Sequence, residues 1–203
     1  KVGYTNMDCG LTYSRTAALT KELAAYLQSL GLKPGDRVAI MMPNLLQYVI
    51  AMYACLRAGY IVVNINPLYT SREVNGTLRD SEAKAIIIIE NFAKTLQNAL
   101  PGTKCEHIIT TAVGDLFPFF KRTLVNFVVR KVKKMVPEYS LPNAVGFNEA
   151  LEIGRRHGFT AHEIHNTDIA FLQYTGGTTG VAKGAILTHR NLLANLQQVG
   201  YWL

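Results

Sequence analysis

The residues best equipped for chemistry are consecutive: Tyr174-Thr175-Gly176-Gly177-Thr178-Thr179-Gly180-Val181-Ala182-Lys183-Gly184, followed by Ala185. Glycines let backbone N–H groups turn toward an anion and let a bulky phosphate approach. Threonine hydroxyls add donors and can ligate a hard cation. Lys183 adds a mobile positive charge that suits phosphate. The set reads as a polyphosphate-binding loop. It is not a Walker A loop, because Lys183 stands between Ala182 and Gly184 where that motif requires Gly-Lys-Ser/Thr. It is not a dinucleotide fingerprint, because it holds no G-x-G-x-x-G. The bland alternative is a flexible Gly/Thr hairpin. A plain hairpin, however, needs two to five connecting residues and no set of three hydroxyls with a lysine.

Positioning such a loop requires a strand before it, and Asp168 to Tyr174 (DIAFLQY) supplies one. Upstream, apolar runs at Arg37–Met42, Tyr60–Ile65, Lys84–Glu90 and His107–Thr111 alternate with helical patterns. The first helix runs from a Ser14 cap to about Leu30, with Leu19, Leu23 and Leu27 at i, i+4 spacing. The second is capped by Asn44 and stops at Gly59. Thr70-Ser71-Arg72-Glu73 predicts a capping box for the third, and Asn91 to Leu100 reads as a fourth. The strands are apolar on both faces. That pattern predicts an α/β fold with a mostly parallel sheet and helices on both faces. Residues 115–165 break the alternation with two helical patterns and a polar stretch.

Composition bounds the classes that remain. The 203 residues are 49% hydrophobic and 17% charged, enough for a core and against disorder. Three cysteines lie far apart without a C-x-x-C pair, so neither a disulfide framework nor a zinc knuckle is expected, and a reducing compartment fits. The net charge is +7. It is local: residues 115–137 hold Lys121, Arg122, Arg130, Lys131, Lys133 and Lys134 against Asp115. A broad nucleic-acid-binding face is therefore not expected. No run reaches the roughly 20 apolar residues of a membrane span. The chain starts at Lys1 and ends in a helical pattern at Leu203, as a piece of a longer protein would.

The loop closely resembles the phosphate-loop signature of the adenylate-forming (AMP-binding) enzymes, Thr/Ser-Gly-Thr-Thr-Gly-x-x-Lys-Gly. Ala185-Ile186-Leu187-Thr188-His189-Arg190-Asn191 is similar to the strand and helix start that follow it in that family. Leu11-Thr12-Tyr13-Ser14, Gly35-Asp36-Arg37-Val38-Ala39 and Tyr69-Thr70-Ser71-Arg72-Glu73 are similar to its early segments. Within the family, Phe171–Gly177 and Val125–Val129 look most like bacterial long-chain-fatty-acid–CoA ligases. The resemblance covers essentially the whole chain and departs from the usual pattern mildly, at Gly177 and Ala182. It implies that 1–203 is the N-terminal portion of the large AMP-binding domain, with the phosphate loop at 174–185 and the C-terminal domain absent. It also implies a two-step ligase with ATP, fatty acid and coenzyme A as substrates and Mg²⁺ as helper. By position, Tyr174 to Ala185 would bind nucleotide and Thr175 would neighbour Mg²⁺. Lys183 would neutralise charge on the departing pyrophosphate. The adenine segment, the acidic metal ligand and the acyl tunnel would follow Leu203, so the piece alone would be inactive. The rivals are a ligase for aryl, amino or short-chain acids, and a non-catalytic nucleotide- or membrane-binding module.

Other constellations carry less. His157, His162, Glu163 and His165 lack the H-E-x-x-H spacing of a zinc site. Asn75-Gly76-Thr77 fits a glycosylation acceptor without a secretory context, and Cys55 reads as a core residue. Residues 115–137 are read as one amphipathic helix. At about 100° per residue, Leu124, Val125, Val128, Val129, Val132, Met135 and Val136 share an arc, with Arg130, Lys133 and Lys134 opposite. Two readings stand: a helix resting on an anionic membrane, with Phe117, Phe119 and Phe120 just before it, or a core-packed helix with a solvated charged face. The first implies a cytoplasmic protein held at the inner face of the membrane. A homodimer is also compatible with the sequence.

Overall fold

The computed structural model describes residues 1–175 and 183–202, with Thr175 described by its backbone alone. The chain opens with an antiparallel hairpin of β1 (Val2–Asn6) and β2 (Cys9–Thr12). Its turn residues Met7 and Asp8 both sit at positive φ, 47° and 59°. Two consecutive positive φ values give a turn whose twist matches that of the strands. Helix α1 (Tyr13–Ser29) follows at once, capped by Thr12 rather than Ser14. Thr12 has the extended backbone a cap requires, and its hydroxyl accepts from the Arg15 N–H at 3.2 Å. Ser14 already lies inside the first turn.

Strand β3 (Arg37–Met41) leads to α2 (Leu46–Arg57), and β4 (Ile61–Asn64) to α3 (Ser71–Ser81). The α2 cap position is Leu45, with no side-chain cap; Asn44 lies one residue too early. The capping box of α3 forms as the sequence predicts. The Thr70 N–H and hydroxyl both donate to the Glu73 carboxylate, at 2.8 and 2.7 Å. Strand β5 (Ala85–Ile89), α4 (Ala93–Ala99) and β6 (His107–Thr111) come next. Then follow α5 (Phe119–Phe127), β7 (Ala144–Gly146), α6 (Phe147–His157), β8 (Ile169–Thr175), β9 (Lys183–Thr188) and α7 (His189–Trp202).

The described strands β3 to β9 form one sheet in the order β7-β6-β5-β3-β4-β8-β9. Every neighbouring pair is parallel except β8–β9. Alternate strand residues enter two separate cores. Val38, Ile40, Val62, Ile87 and Ile109 pack against α1, α2 and α6. Ala39, Met41, Val63, Ile86 and Ile88 pack against Val74 and Leu78 of α3 and Leu96 and Ala99 of α4. The continuous apolar runs are thus explained: both faces of each central strand are covered.

The segment 115–137 departs from its expected form. Helix α5 ends at Phe127, a single wide π-type turn spans Val128–Val132, and Lys134 takes a positive φ of 49°. The extra residue of such a turn rotates everything after it, so the anticipated valine stripe never lines up. Val125 packs on the core, while Phe119, Phe120, Leu124 and Phe127 face solvent. Phe117 is buried in the core instead of flanking a surface helix. Arg130 does not join Lys133 and Lys134 on a free basic face. It folds back onto Glu90 at 2.8 and 2.7 Å, because that carboxylate, 4% exposed, needs a partner.

Candidate functional site

The connection after β3 leaves toward the α1–α2–α6 face, whereas the connection after β4 leaves toward the α3–α4 face. Where adjacent parallel strands send their chains to opposite faces, a crevice opens at their C-terminal ends. Here that crevice has a volume of about 430 Å³ and is lined in part by Asn44, Tyr48, Asn64, Asn66 and Gln173. Its floor is polar by register. Asn64 ends β4 opposite Gln173 of β8, and the Asn64 amide donates to the Gln173 side-chain oxygen at 2.9 Å. The Tyr48 hydroxyl donates to the Asn64 side-chain oxygen at 3.1 Å. Burial raises the Tyr48 phenol above its ordinary pKa, partly offset by that bond, so at neutral pH it stays a donor.

Tyr174 belongs to the same crevice and begins the predicted phosphate loop. Its side chain is buried on the α3 face, and its hydroxyl donates to a carboxylate oxygen of Asp80. Burial first, and then the Asp80 bond and charge, raise its pKa well above the ordinary phenol value. The ring lies over Gly184, where an added Cβ would come within 3.0 Å of the Tyr174 Cζ. Register places Gln173 opposite Ala185, Tyr174 opposite Gly184 and Thr175 opposite Lys183. Lys183 is exposed at that end of the ladder. The two ends of the loop are therefore brought together beside the crevice, at the C-terminal end of β8. Gly176, Gly177, Thr178, Thr179, Gly180, Val181 and Ala182 lie outside the described residues, as does the Thr175 side chain.

Sequence reasoning named Tyr174, Lys183, Gly184 and Ala185, but missed Tyr48, Asn64, Gln173 and Asp80. A signal for two of them was present: Asn64 and Gln173 are polar residues one position before the end of the apolar runs Tyr60–Ile65 and Asp168–Tyr174, near the strand ends that face a switch-point crevice. The other candidates disperse. The His162 ring packs beside Gly59, the His165 N–H donates to Asp168, and the Asn75 amide donates to the Ala99 and Pro101 carbonyls. Cys55 is fully buried and its thiol is pushed up by desolvation. Among the described residues no cluster of three His, Cys, Asp or Glu suits a metal ion.

The sequence profile of the AMP-binding enzyme family matches residues 2–202. The chain belongs to that family. It is 55% identical over 197 residues to a long-chain-fatty-acid–CoA ligase of Salmonella typhimurium, covering 97% of this chain and 35% of the relative. It is 38% identical over 194 residues to the ligase of the same name from Bacillus subtilis, covering 95% and 34%. The chain therefore spans about a third of the length of these relatives. Among solved structures, it is similar to a long-chain-fatty-acid–CoA ligase of Archaeoglobus fulgidus, with a TM-score of 0.70 and 27% identity over 97% of this chain and 34% of that one. In the described sheet the loop ends are paired on the β8–β9 edge, and no helix among the described residues is long and apolar enough to cross a membrane.

Proposed function

We propose that this chain is the N-terminal, phosphate-handling part of an ATP-dependent long-chain fatty acyl-CoA ligase. The observation that carries the reading is the register pairing of Thr175 with Lys183 beside the switch-point crevice. It supports the reading because Lys183 and the Thr175 backbone meet beside the kind of crevice where an α/β sheet takes a nucleotide, in a chain whose close relatives bear the ligase name. In the first step a carboxylate oxygen of the fatty acid bonds to the α-phosphorus of ATP. The bond from that phosphorus to the bridging oxygen breaks, and pyrophosphate leaves. In the second step the coenzyme A thiol, losing its proton, bonds to the acyl carbon, and AMP leaves. Lys183 stabilises the negative charge that grows on the leaving pyrophosphate. Oxygen donors of the Thr175, Thr178 and Thr179 type suit Mg²⁺, and a bound Mg²⁺ would neutralise phosphate charge there.

The test is Lys183→Ala in the full-length protein. Fatty-acid-dependent ATP–pyrophosphate exchange should fall about 100-fold, with fatty-acid binding unchanged. Unchanged exchange removes Lys183 from the mechanism. Exchange driven by aryl or short-chain acids, but not by long-chain ones, favours a different adenylate-forming ligase. ATP binding without any exchange favours a non-catalytic module. The 203-residue chain alone should form no thioester.

A second reading, attachment to an anionic membrane at the cytoplasmic face, rests on α5. Phe119, Phe120, Leu124 and Phe127 are exposed beside exposed Lys131, Lys133 and Lys134. Each such lysine near an anionic surface contributes roughly 1 kcal/mol, weakened by salt. Binding of the full-length protein to phosphatidylglycerol vesicles should fall when the three lysines become Gln. Equal binding to neutral vesicles overturns the electrostatic part.

A further inference from the structure

We propose that Asp80 is a positioning residue for the phosphate-loop stem: by accepting the Tyr174 hydrogen bond it sets where β8 hands the chain on and where β9 presents Lys183. The inference rests on the reading of that stem as a phosphate site, and it adds a residue 94 positions away in sequence, on a different element.

Tyr174 touches three parts of the structure at once. Its backbone pairs with Gly184, its ring fills the space that Gly184 leaves by having no side chain, and its hydroxyl reaches α3. Gly184 is thus fitted to the ring: an added Cβ would lie 3.0 to 3.4 Å from three ring atoms. Elsewhere the stem is thinly held. Lys183, Ala185 and Ile186 are exposed, and in the described sheet β9 pairs with β8 alone, on the edge. Among the stem residues whose side chains are described, 173, 174 and 183–185, Tyr174 is the buried one.

The far end of the tether is fixed. Val74 and Leu78 anchor α3 in the core, and the capping box closes its N-terminus. At its C-terminus, Arg37 of β3 donates to the Ser81 carbonyl at 2.8 Å and to the Glu82 carboxylate at 3.0 Å. The Ser81 hydroxyl bonds back to Thr77. Asp80 therefore stands on a part of the helix tied to the central strand next to β4. A phenol has two side-chain torsions, so a fixed hydroxyl and a packed ring together leave the stem little freedom. The role needs an acceptor at Asp80 more than its charge, because an amide oxygen also accepts from the phenol, in a weaker bond than a carboxylate makes.

The experiment compares Tyr174→Phe, Asp80→Ala, Asp80→Asn and the Tyr174→Phe/Asp80→Ala double variant in the full-length protein, with Lys183→Ala beside them. Tyr174→Phe and Asp80→Ala should each lower kcat/KM for ATP in pyrophosphate exchange by about tenfold, the loss expected of one hydrogen bond to a charged acceptor. The fatty-acid KM and the unfolding midpoint should hardly move. Asp80→Asn should recover to within about threefold of the parent, since it keeps the acceptor. The double variant should be no worse than the worse single, as expected for two ends of one interaction. Parent-like kinetics in Asp80→Ala, losses that add in the double variant, or an Asp80→Asn as impaired as Asp80→Ala overturn the proposal when Lys183→Ala is severely slowed. If Lys183→Ala is itself silent, the phosphate-site reading fails, and the positioning role with it.

Discussion

Two helices follow strands at the same end of the sheet, α5 after β6 and α6 after β7, and they end in opposite circumstances. Helix α6 buries Phe147, Ala150, Leu151 and Gly154. No residue of α5 is buried. Both have an apolar face by sequence, so amphipathicity alone does not decide what that face meets. The neighbour available to each face does. In α6, Ala150 and Gly154 stand one turn apart and make a flat strip on which α1 can lie. In α5 the face that carries Phe120, Leu124 and Phe127 at i, i+4, i+7 is exposed among the described residues. Asn126 instead spends its side chain on the Gly114 N–H at 2.8 Å, fixing α5 by a polar edge and by Val125.

The sharpest way to break the contrast is Gly154→Val. A Cβ at Gly154 would stand 1.8 Å from the Glu22 carbonyl oxygen and 2.8 Å from the Tyr26 nitrogen, both backbone atoms of α1. Backbone of a packed helix cannot rotate away as a side chain can, so α1 must shift bodily. The expected loss is about 4 kcal/mol or more, read by urea unfolding. A loss below about 1 kcal/mol would mean that the α1–α6 crossing is loose. Phe147→Ala comes next. The side chain is fully buried, and its removal should cost about 3–4 kcal/mol through lost transfer energy and the cavity left behind.

Much of this region was legible in the sequence. The Leu19, Leu23 and Leu27 spacing gave α1, and all three are buried. The run of four isoleucines gave β5, and Thr70 with Glu73 gave the start of α3. These are local signals, one residue type answering to one backbone geometry. The β1–β2 hairpin was not legible, because its turn is Met7-Asp8 and not an Asn-Gly or Gly-Gly pair. Its absence from the reading misplaced the α1 cap from Thr12 to Ser14. The wide turn at Val128–Val132 has no marker in valines and lysines, so the projected stripe ran straight through a bend. The site divides likewise: the proposed phosphate loop was marked by composition, whereas the Tyr174–Asp80 and Asn64–Gln173 pairs are visible only once the sheet order is known.

A middling effect belongs to the junction between the core and the 128–132 turn. Arg130→Ala leaves Glu90 buried without its cation. The Arg130 side chain is half exposed, so water screens part of the loss, and about 1–2 kcal/mol is expected. Glu90→Gln/Arg130→Ala should recover part of it, because no unpaired charge remains buried. Asp36 offers a test by pH. Burial pushes its carboxyl up, but the Lys33 N–H at 2.8 Å and the Lys84 ammonium at 2.7 Å pull it down further, to a net value below the ordinary range. A carboxyl depressed in the folded state contributes stability above its unfolded pKa of about 3.9, and that contribution is lost as pH falls through the lower folded value. Asp36→Asn should therefore lower stability at pH 7 and flatten its decline below about pH 4. An acid limb identical to the parent's removes Asp36 from the account.

The smallest stability effect should come from the outward face of α5. Phe120 is 86% exposed and Leu124 63% exposed, so they already lie in water in the folded chain and little transfer energy is lost on their removal. Phe120→Ser/Leu124→Ser should change the unfolding free energy by less than about 0.5 kcal/mol, against the several kcal/mol of Phe147→Ala in α6. If the membrane reading holds, the same double variant should weaken binding of the full-length protein to anionic vesicles, because those side chains would supply the apolar surface that enters the lipid while Lys131, Lys133 and Lys134 would supply the charge. The two readouts separate the alternatives. A large loss of stability in the full-length protein would mean that the remainder of the chain covers this face, which then belongs with α6. Unchanged stability with unchanged vesicle binding would mean that the exposed aromatics meet only water, and the membrane reading would fall. Unchanged stability with lost vesicle binding is the expected result, and it would mean that the apolar face of α6 serves the fold while that of α5 serves an outside surface.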